Sequence, residues 1–302
     1  MRLFTTTALV LAMASPALAW KDDYAVLKFG ILSGENEQDR LERNEPLRAF
    51  LEAELGVEVE IFTAGNYDGV IQAMAADQIE IGRFGSSSYA AAYTATDGNV
   101  IPTLTTLKQD GSTGYYSIVV ARCDSGIESL EDAAGLVHAF ADPDSTSGYA
   151  VPYFNMVEQE GFVPEEHFGT VTFSGSHEAG VSGVYQGTFD TAATWMNNPE
   201  NSVYTRMENK GMIEAGEICT IWESPEITSG PWTFRGNLPE ELIEDVTAAI
   251  ERFPEADPEG YRLYSSFDPD DDNPSIGFER VNAERYQWII DMRAWLSEQR
   301  RG

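Results

Sequence analysis

The sequence predicts an α/β protein of two lobes joined by two crossing strands, and three observations carry that reading. Short apolar, strand-like runs alternate with helical patterns along most of the chain, the rhythm of parallel crossovers. Once a leader segment is set aside, about 283 of the 302 residues remain, long enough for two packed domains. The two cysteines, Cys123 and Cys219, sit just past one strand-like run and inside another, where such a chain would pass between lobes and return.

Residues 1–19 read as the leader: Arg2, an apolar stretch from Ala8 to Ala14, then Ala17-Leu18-Ala19, the small-x-small pattern that a signal peptidase cuts. The segment lacks a polar face, which argues against a buried N-terminal core helix. The mature chain is therefore expected to begin near Trp20, with no cysteine after the cut to carry a lipid anchor. No later apolar run approaches the ~20 residues that span a bilayer. The expected location is the periplasm.

In the first lobe, Val26–Leu32 reads as a strand, Pro46–Leu55 as a helix stopped by Gly56, Val57–Phe62 as a strand and Tyr67–Ala76 as a helix; Ile79–Phe84 and Ser88–Thr96 repeat the pair. A second series follows: Leu136–Phe140, the turn Asp142–Gly148 leading into a helix over Tyr149–Glu160, Gly169–Phe173, a helix near Glu178–Tyr185, and the strand-like Thr188–Thr194. The C-terminal third adds the strand-like Cys219–Trp222 and helices near Pro239–Arg252 and Asn282–Gln299. The expected division is 20–121 for the first part of lobe one, 122–218 for lobe two, and 219–302 for the return strand, the rest of lobe one and the C-terminal helices.

In an oxidising compartment an even pair of cysteines is most simply a disulfide, here closing a loop of about 97 residues and stabilising by roughly 4–5 kcal/mol on the chain-entropy estimate. Two buried free thiols are the alternative. If Tyr116–Cys123 leads out to lobe two and Ile218–Ser224 leads back, the crossing strands lie side by side and a Cys123–Cys219 bond staples the hinge.

The formal net charge is −31, and removing the leader leaves 18 basic against 50 acidic residues, a net of −32. Nucleic acid is disfavoured as a partner. A surface this acidic fits a saline source or ordinary periplasmic acidity. It also repels anions at long range, so a bound anion would have to be held by short-range N–H and O–H donors inside a closed cleft.

The sequence Asp-Pro-Asp-Ser-Thr-Ser-Gly at Asp142–Gly148 supplies such donors. It sets the hydroxyls of Ser145, Thr146 and Ser147 at a helix start, where free N–H groups and the helix dipole favour a tetrahedral oxyanion. Ser86-Ser87-Ser88 follows the strand Ile79–Phe84 with Gly85 at the turn, and can cap the next helix while aiming a second set of donors at the cleft; plain N-capping is the alternative for both clusters. His177 sits at another strand-to-helix turn and is a candidate donor, whereas His138 and His167 read as packed or solvent-facing.

Six segments in order, Leu27-Lys28-Phe29-Gly30-Ile31, Asn66–Gln72, Gly111–Ser117, Asp142–Gly148, Ser176-His177-Glu178 and Trp222–Pro225, resemble the phosphate/phosphite/phosphonate-binding proteins of ABC transporters, over roughly Leu27 to Pro254. The resemblance implies a two-lobed, type II-like periplasmic binding protein with two crossing hinge strands. It also implies a small anionic phosphorus ligand, delivery to a permease and ATPase, no cofactor, and a monomer. Ser145, Thr146 and Ser147 would grip phosphoryl oxygens from lobe two, Tyr67 and Tyr115 would touch the ligand from lobe one, and His177 would add a donor. Ser86 and Ser87 complete the expected set. Acidic residues that read a ligand amine in aminophosphonate binders fall by count at Asn197 and Gly230, which argues against an amine unless Glu35, Asp68 or Glu226 substitutes. Trp195 and Phe84 are candidates to shape the pocket, with core packing the alternative.

Two other function classes are weak. For an enzyme, three histidines and two cysteines leave little material for a nucleophile–base pair, and neither a G-x-S-x-G elbow nor a zinc-spaced His/Cys cluster occurs in the sequence. The run Asp268–Asn273 with Glu279 copies the acidic spacing of an EF-hand loop, but Asn273 replaces the turn glycine and Pro269 and Pro274 stiffen it, so a solvated acidic loop is the expectation.

Overall fold

The computed structural model describes residues 19–265 and 273–299. The leader before residue 19 and the acidic run at 268–272 lie outside the described residues. Trp20 is 3% exposed, and its indole N–H donates to Asp245 at 2.8 Å, so the expected start of the mature chain is anchored in a core.

In chain order the elements are β1 (Val26–Ile31), α1 (Glu37–Leu55), β2 (Glu58–Thr63), α2 (Tyr67–Ala75), β3 (Ile81–Arg83), α3 (Ser86–Ala95), β4 (Val100–Lys108), β5 (Gly114–Arg122), β6 (Val137–Phe140), a wide turn (Thr146–Ala150), α4 (Val151–Glu158), α5 (Pro164–His167), β7 (Thr170–Phe173), α6 (His177–Tyr185), β8 (Thr191–Asn198), β9 (Asn201–Ser202) and α7 (Val203–Asn209). After these come β10 (Ile218–Glu223), β11 (Ile227–Thr228), β12 (Trp232–Arg235), α8 (Glu240–Ala256), α9 (Pro258–Tyr264), β13 (Ser275–Arg280) and α10 (Gln287–Gln299).

Two mixed sheets result. The first has the order β13-β4-β12-β3-β1-β2; the second runs β10-β5-β8-β6-β7, with β9 and β11 at its margins. β1 pairs parallel with β2 and β3, and β6 parallel with β7 and β8, while β4, β5, β10, β12 and β13 pair antiparallel. The alternating half of each sheet was legible as crossovers; the antiparallel half of the first sheet was not. Helix α1 starts nine residues before the expected Pro46, because the Asn36 side chain accepts from the N–H groups of Gln38 and Asp39, and proline is tolerated within it.

The chain leaves the first sheet after β4 and returns at β12, so it passes between sheets through residues 109–113 and 224–231. At that crossing Tyr115 pairs with Ile227, Gly114 pairs with Thr228, and Ser229 N–H donates to the Thr113 carbonyl at 2.8 Å. These segments lie side by side, whereas Tyr116–Cys123 and Ile218–Ser224, expected to cross, pair with each other within the second sheet. Cys123 and Cys219 form a disulfide, with Cα atoms 5.0 Å apart. It does not staple the hinge: β5 and β10 lie wholly within the second sheet, and the bond ties their far ends, near the Ile218–Arg122 pair. Strand-like runs flanking cysteines show which strands are neighbours, not which end of them faces the other lobe.

Separate cores underlie the two sheets. Leu27, Phe29, Leu47, Leu51, Trp232, Phe234 and Phe253 pack in the first; Ile118, Val120, Val181, Val184 and Met207 pack in the second. A third cluster runs through both, joining Phe84 and Tyr89 to Phe140, Tyr149 and Tyr286. Helix α10 belongs to this bridge: it packs on α3, and Trp295 meets Tyr153 and Phe154 edge-on.

Candidate functional site

The cleft between the sheets encloses about 350 Å³, and its lining includes Tyr67, Tyr115, Ser145, Thr146, Ser147 and His177. Tyr67 and His177 open α2 and α6, Tyr115 lies at the start of β5, and Ser145–Ser147 lie in the turn after β6. Val137–Phe140 leads into the turn, where Ser145 caps it: its Oγ accepts from Gly148 N–H at 3.0 Å, and its carbonyl accepts from Ala150 N–H at 3.0 Å. A Cβ on Gly148 would lie 2.5 Å from Ala141 Cβ and 2.9 Å from His177 Cε1, so only glycine lets the turn close on the histidine. Asp142 braces the same turn, its carboxylate accepting from the N–H groups of Asp144 at 2.8 Å and Tyr67 at 3.4 Å.

His177 is buried, with Nε2 3.2 Å from Ser145 Oγ and Nδ1 3.2 Å from Thr194 Oγ1. Burial pushes its pKa down to about 4, so the ring is neutral near pH 7. Burial raises the phenols of Tyr67 and Tyr115, which therefore stay protonated; Tyr67 lies beside the Ser145 side chain, and Tyr115 beside those of Thr146 and Ser147. The six residues form one hydroxyl-rich cradle.

Ser86 and Ser87 behave differently. Both are fully buried at the start of α3, with side chains turned from the cleft: Ser86 Oγ donates to the Thr228 carbonyl at 2.5 Å, and Ser87 Oγ accepts from Arg293 at 2.9 Å. What reaches the other lobe is the Ser87 backbone N–H, which donates to Thr146 Oγ1 at 2.8 Å. Further bonds close the mouth. His177 N–H donates to the Gly34 carbonyl at 3.1 Å, Asn36 N–H to Glu178 at 2.8 Å, and Lys210 pairs with Asp39 at 2.5 Å.

Sequence reasoning missed the cations. Among the described residues, Arg40, Arg43, Arg83, Lys108 and Arg206 line the cleft against one carboxylate, Glu35. They come from α1, β3, β4 and α7, so no spacing in the sequence groups them. Burial alone would raise the pKa of Glu35, but Arg43 at 2.6 Å and Arg206 at 3.8 Å hold it down to about 2. Of the suggested substitutes for an amine-reading acid, Asp68 bonds Gln72 on the exposed face of α2, and Glu226 sits against Gly114 outside the lining. Asn197 and Gly230 do line it, as do Trp195, which stacks under Arg206 at 4.7 Å, and Phe84. His138 stacks on Phe168, and His167 bonds the Leu130 carbonyl, both away from the cleft. Among the described residues no His/Cys/Asp/Glu group could hold a metal ion.

Residues 29–286 match the family described as ABC transporter, phosphonate, periplasmic substrate-binding protein. The chain is 32% identical over 241 residues to the phosphonates-binding periplasmic protein of Escherichia coli K12, covering 78% of this chain and 68% of that one. The solved binding-protein component of a Pseudomonas aeruginosa ABC phosphonate transporter superposes with a TM-score of 0.78 at 26% identity, covering 89% of this chain and 86% of that one. A Prochlorococcus marinus protein solved with methylphosphonate shares the fold at a TM-score of 0.76 and 22% identity, over 90% and 98% of the two chains.

Proposed function

The chain belongs to the family of periplasmic substrate-binding proteins of ABC phosphonate transporters, and from that premise we propose that its cradle at Ser145–Ser147 binds a small phosphorus oxyanion by hinged closure. The observation that carries the reading is the convergence of Ser145, Thr146, Ser147, Tyr67, Tyr115 and His177 in a closed cleft lined by cations. Hydroxyls and N–H groups satisfy oxyanion lone pairs directionally, and the surrounding guanidinium groups offset the charge. A ligand that touches both lobes stabilises only the closed form, and closure removes water that would weaken those bonds.

In this reading Ser86 and Ser87 act through backbone N–H groups at the start of α3, not through their hydroxyls. The leader is cleaved after Ala19, the monomeric protein works in the periplasm, and the lobes turn about residues 109–113 and 224–231. Among the described residues no helix is long and apolar enough to cross a membrane. The family role is delivery of substrate to a transporter, not catalysis.

The test is calorimetric titration with phosphite, phosphate, methylphosphonate and 2-aminoethylphosphonate in phosphate-free buffer. Micromolar or tighter binding of at least one is expected; silence from all four would remove the reading.

A further inference from the structure

We propose that the preferred ligand carries a second negative group, and that Arg83 reads it: the ligand class is a phosphonate whose carbon substituent ends in a carboxylate. The inference rests on the phosphorus-oxyanion reading above and specifies its substituent.

Arg83 closes β3 and is half-buried on the cleft wall. Nη1 donates to the carbonyls of Phe84 at 3.2 Å and Gly230 at 3.4 Å, and Nη2 donates to Thr106 Oγ1 at 3.1 Å. All three partners are neutral. Among the described residues no carboxylate lies within ion-pair distance of this guanidinium, in a chain where 50 acidic residues outnumber 19 basic ones. A partly buried charge held only by neutral acceptors is costly, and an anionic ligand would compensate it. The same wall carries Lys108, whose Nζ donates to the Asn197 carbonyl at 3.3 Å.

Among the described residues an amine has no comparable place. The cleft's one carboxylate among the described residues, Glu35, is already bound by Arg43 and approached by Arg206. Gly230 cannot be replaced by an acid without moving backbone, since a Cβ there would lie 2.1 Å from the Phe84 carbonyl oxygen. The cleft, at about 350 Å³, has the room of about a dozen waters, more than a bare phosphite or phosphate fills. Space, a guanidinium whose acceptors are all neutral among the described residues, and a described cleft carboxylate already engaged by Arg43 point the same way. An arginine fork suits a planar carboxylate through two parallel N–H donors.

The experiment is calorimetric titration of the purified protein with methylphosphonate, phosphonoacetate and 2-aminoethylphosphonate, repeated on Arg83→Gln. Phosphonoacetate is expected to bind at least about tenfold tighter than methylphosphonate, with 2-aminoethylphosphonate weakest, and Arg83→Gln should shrink the phosphonoacetate-to-methylphosphonate ratio to roughly threefold or less. Methylphosphonate binding as tightly as phosphonoacetate, or 2-aminoethylphosphonate binding tightest, overturns the inference and leaves the phosphorus reading standing. A ratio unchanged in Arg83→Gln removes Arg83 as the reader. Silence from all three, with phosphite and phosphate also silent, overturns both. If Arg83→Gln does not fold, the wild-type ranking decides the ligand class, and Arg83→Lys, which keeps the charge but loses the fork, is expected to retain part of the ratio.

Discussion

The backbone N–H of Ser87 donates to Oγ1 of Thr146 at 2.8 Å, tying the first turn of α3 on one lobe to the hydroxyl turn of the other. The two residues come from different lobes, so under the proposed hinged closure this is a bond that opening of the cleft would break. Thr146 therefore serves both the closed arrangement and the proposed grip on the ligand.

Thr146→Val is accordingly expected to weaken ligand binding about tenfold or more, from roughly 1.5–3 kcal/mol for a charge-assisted bond, while Thr146→Ser stays within about threefold. Ser145→Ala should behave like the valine variant, since it also loses the Tyr67 and His177 contacts. Isothermal titration decides; unchanged affinity in both Thr146→Val and Ser145→Ala would dismiss the site.

Arg293 on α10 spans the same junction, with Nη1 donating to Ser87 Oγ at 2.9 Å and Nη2 to Asp144 Oδ1 at 2.7 Å. It positions both halves of the cradle. Arg293→Met should reduce affinity roughly five- to tenfold, and Arg293→Lys should recover part of the loss. Equal affinity of Arg293→Met and wild type would make the bridge incidental.

Acid sensitivity follows from two buried histidines. Burial lowers His177 to about 4 and His138 to about 3, both below the usual 6.5 of an unfolded chain. Below pH 6.5 the unfolded state binds the extra protons, so stability that is fully present above 6.5 is lost as pH falls toward the folded values. Each histidine contributes a slope approaching about 1.4 kcal/mol per pH unit. Denaturant melts at pH 7 and pH 5 should show the fall, and His138→Gln should flatten it. An identical slope in the variant would contradict the assignment.

Because the Cys123–Cys219 bond ties the far ends of β5 and β10, it should act on stability and not on closure. Replacing both cysteines by serine is expected to cost up to about 4–5 kcal/mol through loop entropy. Ligand affinity should stay within about threefold of wild type at a temperature where the variant is folded. A large affinity loss would mean that the bond reaches the crossing after all.

The α/β rhythm and the turn at Asp142–Gly148 were legible because each depends on local pattern: apolar runs of strand length, and hydroxyls at a helix start. β4, β12 and β13 escaped because antiparallel pairs leave no strand-helix-strand rhythm; Val100–Lys108, paired on both sides, carries a proline and three threonines and runs straight on into another strand. Ser86 and Ser87 were correctly placed at a helix start, but a side chain's direction there depends on Thr228 and Arg293, far off in sequence. The cations were invisible for the same reason. Arg40, Arg83 and Lys108 come from three separate elements of the first lobe, and Arg206 joins them from α7 of the other.

The gathering of five of the 19 basic residues inside the cleft leaves the rest of the molecule with 14 against at least 49 acidic ones. An approaching dianion is thus repelled outside and attracted only within a few ångströms of the mouth. Capture should be slow in dilute buffer and quicken as salt shortens the reach of the outer field toward the ~8 Å screening length of physiological ionic strength, while escape from the enclosed cations changes far less. Dissolved salt then acts as an accelerator of uptake, in a receptor whose grip it scarcely loosens.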